Sequence, residues 1–449
     1  MRSRAGRWSV PDPSLQWIPM PADSLPDVSV VILNFDGRHI IDRCLQSALA
    51  LDYPSDRLEV IVCDNGSSDG SVEYVRTRFP SVRLVPLDRN YGFAEGNNRA
   101  LAACRFQWVA FINNDMWFAP SWLRKLVAPL ATQPALACIA GRILNWDGSQ
   151  IDFVGGGVSF EGHGFHLDQG LGQSDQDKAR RVIAPCGGAM LIRRDLFHHL
   201  GGFDRDYFSF FEDTDLGWRL NLLGHDVWYT PEATVFHRQH ATARRFPAHQ
   251  LRVLYERNAL FTIYKCLGDA NLAVALPTAM MLMNERALRT GRLGLKPFAI
   301  PSDSRRQADS LRPEPLPARD DRLSEEQPVT ARARRVLGEE GWGMFATKGV
   351  RYLGRVTASA LRRPLLAGGG YLSSISLSHY VALHEFATSL ETLQEKRRWL
   401  QAHRVRTDAE LIPLLQEPLH PSWDDPAYVR FYRRLTHVMG IDERFTSGR

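Results

Sequence analysis

Three short apolar runs, each ending abruptly in asparagine or aspartate, constrain this chain more than any other feature. VSVVIL (28–33) stops at Asn34-Phe35-Asp36-Gly37, LEVIVC (58–63) at Asp64-Asn65-Gly66, and WVAFI (108–112) at Asn113-Asn114-Asp115. Runs of this length bounded by turn residues read as buried strands. Apolar residues then recur at helical spacing, as in Ile40, Ile41, Leu45, Ala48 and Leu49. Further helices are expected near 70–79 and 92–104, with a strand at 82–86. Strand and helix alternating at roughly thirty-residue spacing predict a βαβ series on a parallel sheet. Ligands of such sheets sit beyond the carboxyl ends of the strands. The three polar clusters are therefore expected to converge on one crevice.

Beyond about 135 the pattern is less regular. Residues 151–165 are Gly-rich with β-type residues, 169–180 form a polar loop, and Cys186 to Ile192 is a Gly-led strand. Ser209 to Leu223 reads as a helix, Thr234 to His237 ends a strand, and 250–290 is helical and amphipathic. Residues 301–335, rich in Pro, Arg, Asp and Glu, have the composition of a linker.

Composition excludes several classes. In 449 residues, 44% apolar and 23% charged is ordinary globular usage, and a net charge of +5 is too mild to imply nucleic acid. Cysteines 44, 63, 104, 138, 186 and 266 include no close pair, which argues against a zinc knuckle or dense disulfide framework and for a reducing compartment. The N-terminus has no continuous apolar region of the secretory kind. The most apolar stretch, Ala259–Met283, is interrupted by Lys265, Asp269 and Pro277, so a spanning helix is not expected. The expectation is a cytoplasmic protein whose membrane contact, if any, is peripheral.

Chemistry concentrates in a few places. A carboxylate at a strand end, as in Asn113-Asn114-Asp115, can ligate a hard divalent cation that bridges phosphate oxygens; an Asx turn is the structural alternative. Asp64-Asn65 has the same two readings, with a base or ribose as a further partner. Ser67-Ser68-Asp69 reads as a helix N-cap. In Asn90 to Asn98, Gly92 and Gly96 let backbone approach a ligand, and helix N–H groups favour anions. Ser209 and Glu212 form an S-x-x-E capping box, whereas Asp213 has no box role beyond complementing the helix dipole. Carboxylates crowded among Phe and Tyr at 204–215 raise a pKa towards that of a general base. His237 ends its strand in a basic turn, where a lone histidine is more often structural than a metal ligand.

Together these strings resemble the family 2 glycosyltransferases of GT-A fold, in particular their bacterial rhamnosyltransferase-like branch. VSVVILNFDG, VIVCDNGSSDGS, RNYGFAEGNNRAL, FINNDMWFAP, CGGAMLIRRDLFHHLGGFDRDYFSFFEDTDLGWRLNLLGHDVWYTPEATVFH and YERNALF keep the family's order and spacing over about 27–265. The resemblance implies an α/β GT-A (Rossmann-like) fold with a mostly parallel central sheet, flanking helices and a mainly α-helical C-terminal extension. It implies inverting transfer of a sugar from a nucleotide diphosphate-sugar, dTDP-rhamnose or a UDP-sugar favoured, to a glycan or lipid-linked acceptor of cell-envelope polysaccharide synthesis. Asn34, Asp36, Asp64 and Asn65 would line the nucleoside pocket, joined by Asn90, Gly92 and Asn97. Asn113 and Asn114 would contact the donor, and Asp115, assisted by His237, would hold Mg²⁺ or Mn²⁺. Asp213 would be the base, with Glu212 the second choice. Asn113 stands where many relatives have aspartate, and Leu33-Asn34-Phe35-Asp36 departs from their Pro-Thr-Tyr-Asn.

The implied organisation is an N-terminal extension (1–26), a catalytic domain (27–265), a helical appendage (266–300), the linker (301–335) and a mainly helical, basic segment (336–449). Ala259–Met283 could lie on the inner membrane face, with Arg362-Arg363 or Lys396-Arg397-Arg398 meeting anionic headgroups; packed helices with solvated basic faces are the favoured alternative. Tyr207, Trp218 and Trp228 could stack on sugars or be core. A catalytically inactive nucleotide-sugar or glycan-binding relative is the competing function. A dehydrogenase would need G-x-G-x-x-G after the first strand, and Asn34 to His39 does not supply it.

Overall fold

The structure is a computed structural model that describes residues 25–167, 169–172, 178–238, 246–291 and 373–446. The N-terminal extension up to residue 24, the linker, Arg362-Arg363 and most of the basic turn after His237 lie outside the described residues. The first half alternates as the apolar runs predict: β1 (Val28–Asn34), α1 (Ile41–Leu49), β2 (Leu58–Asp64), α2 (Ser71–Arg78), β3 (Arg83–Pro86), α3 (Gly92–Ala100) and β4 (Trp108–Asn113). β1, β2 and β4 are buried almost throughout because helices cover both faces of the sheet.

There follow β5 (Met116–Phe118), α4 (Trp122–Val127), β6 (Cys138–Asn145), β7 (Ile151–Phe153), β8 (Gly156–Val158), β9 (Gly164–His166), β10 (Arg180–Val182), β11 (Ala189–Arg193), α5 (Arg194–His199), α6 (Glu212–Leu222) and β12 (Val227–His237). The large sheet runs β10-β12-β6-β11-β4-β1-β2-β3. Its β3-β2-β1-β4 side is parallel, as is the β12–β6 pair, while β11 is inserted antiparallel between β4 and β6. The α/β architecture with flanking helices is the expected one, and its sheet is mixed, because β10, β5 and β7 also pair antiparallel. In it Asn34 pairs in register with Asp64, and Leu33 with Asn113, so the polar strand ends lie side by side.

The helical half comprises α7 (Ala248–Cys266), α8 (Asp269–Thr290), α9 (Ser374–Thr388), α10 (Leu390–His403), α11 (Asp408–Leu411), α12 (Pro426–Val438) and α13 (Ile441–Arg444). The continuous helical stretch expected at 250–290 is broken at Leu267-Gly268. One apolar cluster joins Phe160, Trp218, Leu260, Phe261, Leu282, Phe386, Leu400, Tyr428 and Phe445. The Ala259–Met283 stretch contributes buried residues to this core, so its apolar character is used in packing. Among the described residues no helix is long and apolar enough to cross a membrane. Tyr207 and Trp218 are core residues and not sugar-stacking platforms, and Trp228 packs partly buried against the sheet.

Candidate functional site

The three strand ends are tied together by amides. Asn34 Nδ2 donates to Asp64 Oδ2 at 2.9 Å, and Asn114 Nδ2 donates to Asn34 Oδ1 at 2.7 Å. Asp64 also accepts from the Ser67 amide at 2.8 Å, and Asp36 from the Ser68 amide at 2.7 Å. Asn34 and Asp64 thus shape the floor of the crevice from below. Asn65 reaches its wall, donating to Asn90 Oδ1 and to the Gly92 carbonyl, both at 3.0 Å. Asn90 Oδ1 accepts from the Gly92 amide at 2.8 Å, which holds the turn into α3. Gly92 is required there: its φ is +79°, and a Cβ would stand 2.5 Å from the Phe208 carbonyl oxygen. Asn97 points elsewhere, donating to the Phe93 carbonyl of its own helix at 3.0 Å. Asp69 accepts from the Ser71 amide at 3.0 Å at the start of α2, close to the expected capping role, although Gly70 occupies the cap position.

The crevice has a volume of about 330 Å³ and is lined by Asn65, Asn90, Gly92, Asn113, Asn114, Gly188, Phe208, Phe210, Phe246, Glu212 and Asp213, among others. A second cavity of about 210 Å³ opens beside it, walled by Phe153, Gly157, Gly164, Phe165, His166, Phe211, Tyr255 and Thr214. Cys186, Phe210, Glu212 and Asp213 belong to both. The acidic pair therefore stands at the junction of two cavities, the larger lined by strand-end amides together with phenylalanines and the smaller walled by aromatics.

The pair is presented by an unusual loop. The expected Ser209–Glu212 capping box does not form: α6 starts at Glu212 after a left-handed Phe211 without a side-chain cap, and Ser209 Oγ instead accepts from the Phe93 amide at 3.3 Å. Phe208, Phe210 and Phe211 have φ of +62°, +71° and +65°. Such backbone costs roughly 1–3 kcal/mol per residue and persists only where neighbours impose it. Here Asn258 Nδ2 donates to the carbonyls of Tyr207, Ser209 and Phe210 at 3.1, 2.9 and 2.7 Å.

The two carboxyls differ. Asp213 accepts from the Gly187 amide at 2.8 Å and the Thr214 amide at 2.7 Å. Burial raises its pKa, and these amides pull part of the way back. Glu212 is buried with Oε2 unpartnered among the described residues; burial first, then the Asp213 charge, pushes its pKa well above the carboxylate range. Asp213 is the better-supported anion of the two.

Asp115 follows the crevice-lining Asn113 and Asn114. Its Oδ1 is buried without a hydrogen-bond partner among the described residues, and its Oδ2 lies 3.4 Å from His237 Nε2. The other nitrogen, Nδ1, meets Asp152 Oδ2 at 2.6 Å. Burial opposes protonation of His237, but its bonds to Asp115 and Asp152 outweigh this and push it to about 10. Asp115, with Oδ1 unpartnered, and an imidazole whose far nitrogen is fixed by a second carboxylate make a donor set that fits a divalent cation when Nε2 is deprotonated. Among the described residues no third His, Cys, Asp or Glu joins them.

Residues 29–201 match the family model described as Glycosyl transferase family 2. The chain carries a family 2 glycosyltransferase domain. Over 263 residues this glycosyltransferase is 29% identical to an N-acetylglucosaminyl-diphospho-decaprenol L-rhamnosyltransferase of Mycobacterium tuberculosis, covering 53% of this chain and 84% of the relative. It is 28% identical over 246 residues to the O-antigen biosynthesis protein RfbC of Myxococcus xanthus, covering 52% of this chain but 19% of that protein. The pre-mycofactocin glycosyltransferase of Mycobacterium tuberculosis is 30% identical over 229 residues, 51% of this chain and 46% of the relative. The rhamnosyltransferase-like character expected from the strings thus has a named counterpart.

Sequence reasoning missed Asp152, the aromatic walls of the second cavity and the strained phenylalanines. Only Gly187-Gly188 gave a signal. A Cβ at Gly188 would stand 2.5 Å from Asn113 Nδ2, and one at Gly187 would stand 3.1 Å from Asp213 Cβ.

Proposed function

We propose that this glycosyltransferase inverts the anomeric centre of a nucleotide diphosphate-sugar, dTDP-rhamnose or a UDP-sugar favoured, and serves polysaccharide synthesis. The observation that carries the reading is the position of Asp213 between the two cavities. The larger crevice takes the donor, with Asn65 and Asn90 on the nucleoside side and Asn113-Asn114 towards the diphosphate. The aromatic cavity takes the terminal sugar of a glycan or lipid-linked acceptor, since Phe165, Phe211 and Tyr255 offer faces for pyranose C–H groups. Asp213 accepts the proton of the acceptor hydroxyl as its oxygen bonds to the anomeric carbon. The bond from that carbon to the diphosphate oxygen breaks, and the nucleoside diphosphate leaves. Burial disfavours a second charge on Glu212 beside this step. Asp115 and His237 would hold Mg²⁺ or Mn²⁺, which when bound neutralises charge on the departing diphosphate.

The test is a screen of UDP-, dTDP- and GDP-sugars for binding and hydrolysis by the purified protein, with and without Mn²⁺. Metal-dependent binding and slow hydrolysis of one donor are expected. Binding without any turnover, even with lipid-linked saccharides added, would favour an inactive glycan-binding relative; no donor binding at all would sink the reading.

A further inference from the structure

The segment after residue 373 carries no recognisable motif, yet it reaches the catalytic loop. Lys396, on α10, places Nζ 2.5 Å from Asp204 Oδ1 and 2.7 Å from Asp206 Oδ2. Both carboxylates lie at the start of the segment that runs through Phe208 and Phe210 to Glu212-Asp213. Asp204 Oδ2 is held in turn by buried Lys265 at 2.6 Å, which also meets Asp215 Oδ1 at 2.7 Å inside α6. A second tie reaches the same loop: Arg257, on α7, donates to Glu385 of α9 at 2.7 Å and to the carbonyls of Asp206 and Tyr207, both at 3.1 Å. The basic run Lys396-Arg397 is consequently not available to lipid headgroups, for Arg397 is also engaged, with the Tyr264 and Leu267 carbonyls and Asp269.

The geometry points to Lys396 as a positioning residue: the C-terminal helices brace loop 204–211 in the strained form that aims Glu212-Asp213 at the junction of the two cavities. Three left-handed or near-left-handed phenylalanines relax unless both ends of the loop are anchored. Asn258 anchors its distal part, and Lys396 with Lys265 anchors its start. Without Lys396, Asp204 loses one of its two cations and Asp206 loses its ammonium partner, so the start of the loop is held by Lys265 and Arg257 alone. A displacement of about 1 Å at the reacting groups can lower turnover on the order of 100-fold. This extends the transferase reading, on which its catalytic consequence rests.

The experiment uses the full chain with Lys396→Met, Lys396→Arg and, as a milder change at a partly exposed partner, Asp206→Asn. Hydrogen–deuterium exchange of 204–212 is followed beside that of β1 and α9. In Lys396→Met the loop amides are expected to exchange at least tenfold faster while β1 and α9 stay unchanged; Asp206→Asn shifts them in the same direction, and Lys396→Arg restores protection. Turnover of the donor found in the sugar screen should fall 10- to 100-fold, with affinity for UDP, dTDP or GDP, whichever the wild type binds, within about threefold of wild type. Unchanged loop exchange in both Lys396→Met and Asp206→Asn, a rise spread equally over β1 and α9, or undiminished turnover despite a loosened loop would overturn the proposal. Should the wild type turn over no nucleotide sugar, the transferase reading fails, and the brace is judged by exchange alone.

Discussion

His237 Nδ1 lies 2.6 Å from Asp152 Oδ2, on the opposite edge of the ring from Asp115. A carboxylate can only accept, so this contact assigns a proton to Nδ1, while Nε2 faces Asp115 Oδ2 at 3.4 Å. Removing such an outer partner of a metal-ligating histidine costs 10- to 100-fold in metal affinity. Asp152→Asn should weaken Mn²⁺ binding by about that factor while leaving metal-free nucleotide binding intact. Calorimetric titration of Mn²⁺ in the presence of nucleoside diphosphate reads this directly, and an unaltered affinity would remove Asp152 from the site.

The acidic pair predicts a pH profile. Because burial raises the Asp213 pKa, the base is progressively lost as pH falls through a value above the ordinary ~3.9 of aspartate. kcat/KM should therefore rise with pH along a limb centred above that value and flatten towards neutrality. Asp213→Asn should lose at least about 100-fold in kcat, the lower end of general-base contributions, with donor binding retained. A limb centred at or below pH 4, or full transfer by the variant, would contradict the assignment of the base.

Glu212 gives a stability prediction with the opposite outcome. A buried carboxyl whose folded pKa is raised loses stability as pH climbs from its unfolded value to its folded one. Glu212→Gln removes that penalty and supplies donors of its own. Its Tm should exceed that of wild type at pH 7 by more than at pH 4.5, as followed by thermal melting. A lower Tm at pH 7 would mean that the charge is held by contacts stronger than its isolation suggests.

Gly217 sits mid-helix in α6, where alanine would gain about 1 kcal/mol of helix propensity. A Cβ there would nevertheless stand 2.5 Å from the Ala184 Cα and 2.6 Å from the Ile183 carbonyl oxygen. Overpacking against backbone costs about 1–3 kcal/mol or more. Gly217→Ala should therefore destabilise on balance, by up to ~2 kcal/mol in urea unfolding, and lower kcat because α6 carries the acidic pair. A stabilised variant would show that β10 and its neighbours yield more readily than a packed interior does.

Arg286 binds Glu161 Oε2 at 2.6 Å and Glu256 Oε2 at 2.7 Å, all three being buried. His163 and His379 also face Glu256, and Tyr428 and Ser422 face the guanidinium. Arg286→Met leaves buried Glu161 without its cation and Glu256 with only Arg252, at 3.7 Å, a loss of about 3–5 kcal/mol. Glu256 has its folded pKa lowered despite burial, chiefly by Arg286, so its stabilisation exists above the unfolded value and vanishes as pH falls. The variant's deficit should be largest at pH 7 and shrink towards pH 4.5 in urea titrations.

The parallel half of the sheet and the convergence of its polar ends were legible because each strand is a continuous apolar run closed by Asn or Asp. Asp152 was not, since a single aspartate in a Gly-rich β segment has no periodic or spacing signal that links it to His237. The loop that aims the acidic pair was hidden for a different reason. Phe208, Phe210 and Phe211 are residues that avoid positive φ, and what compels them is Asn258, some fifty residues downstream. Glu212 matched a capping box in sequence, yet tertiary contacts overrode the local option. Lys396 read as part of a solvated basic face because its acidic partners lie about 190 residues earlier.

Phe160 has its amide hydrogen-bonded to the Pro418 carbonyl at 2.8 Å and its ring 5.8 Å from that of Phe445. A ribosome making this chain completes α8 long before it reaches either partner. At ~5–20 residues per second, the apolar faces of α7 and α8 wait on the order of ten seconds for their covering. The parallel sheet can order during that interval, but the helical half cannot close. The nascent chain thus passes through a stage with a formed parallel sheet and an open hydrophobic flank, the stage at which a chaperone or a neighbouring nascent chain would meet it.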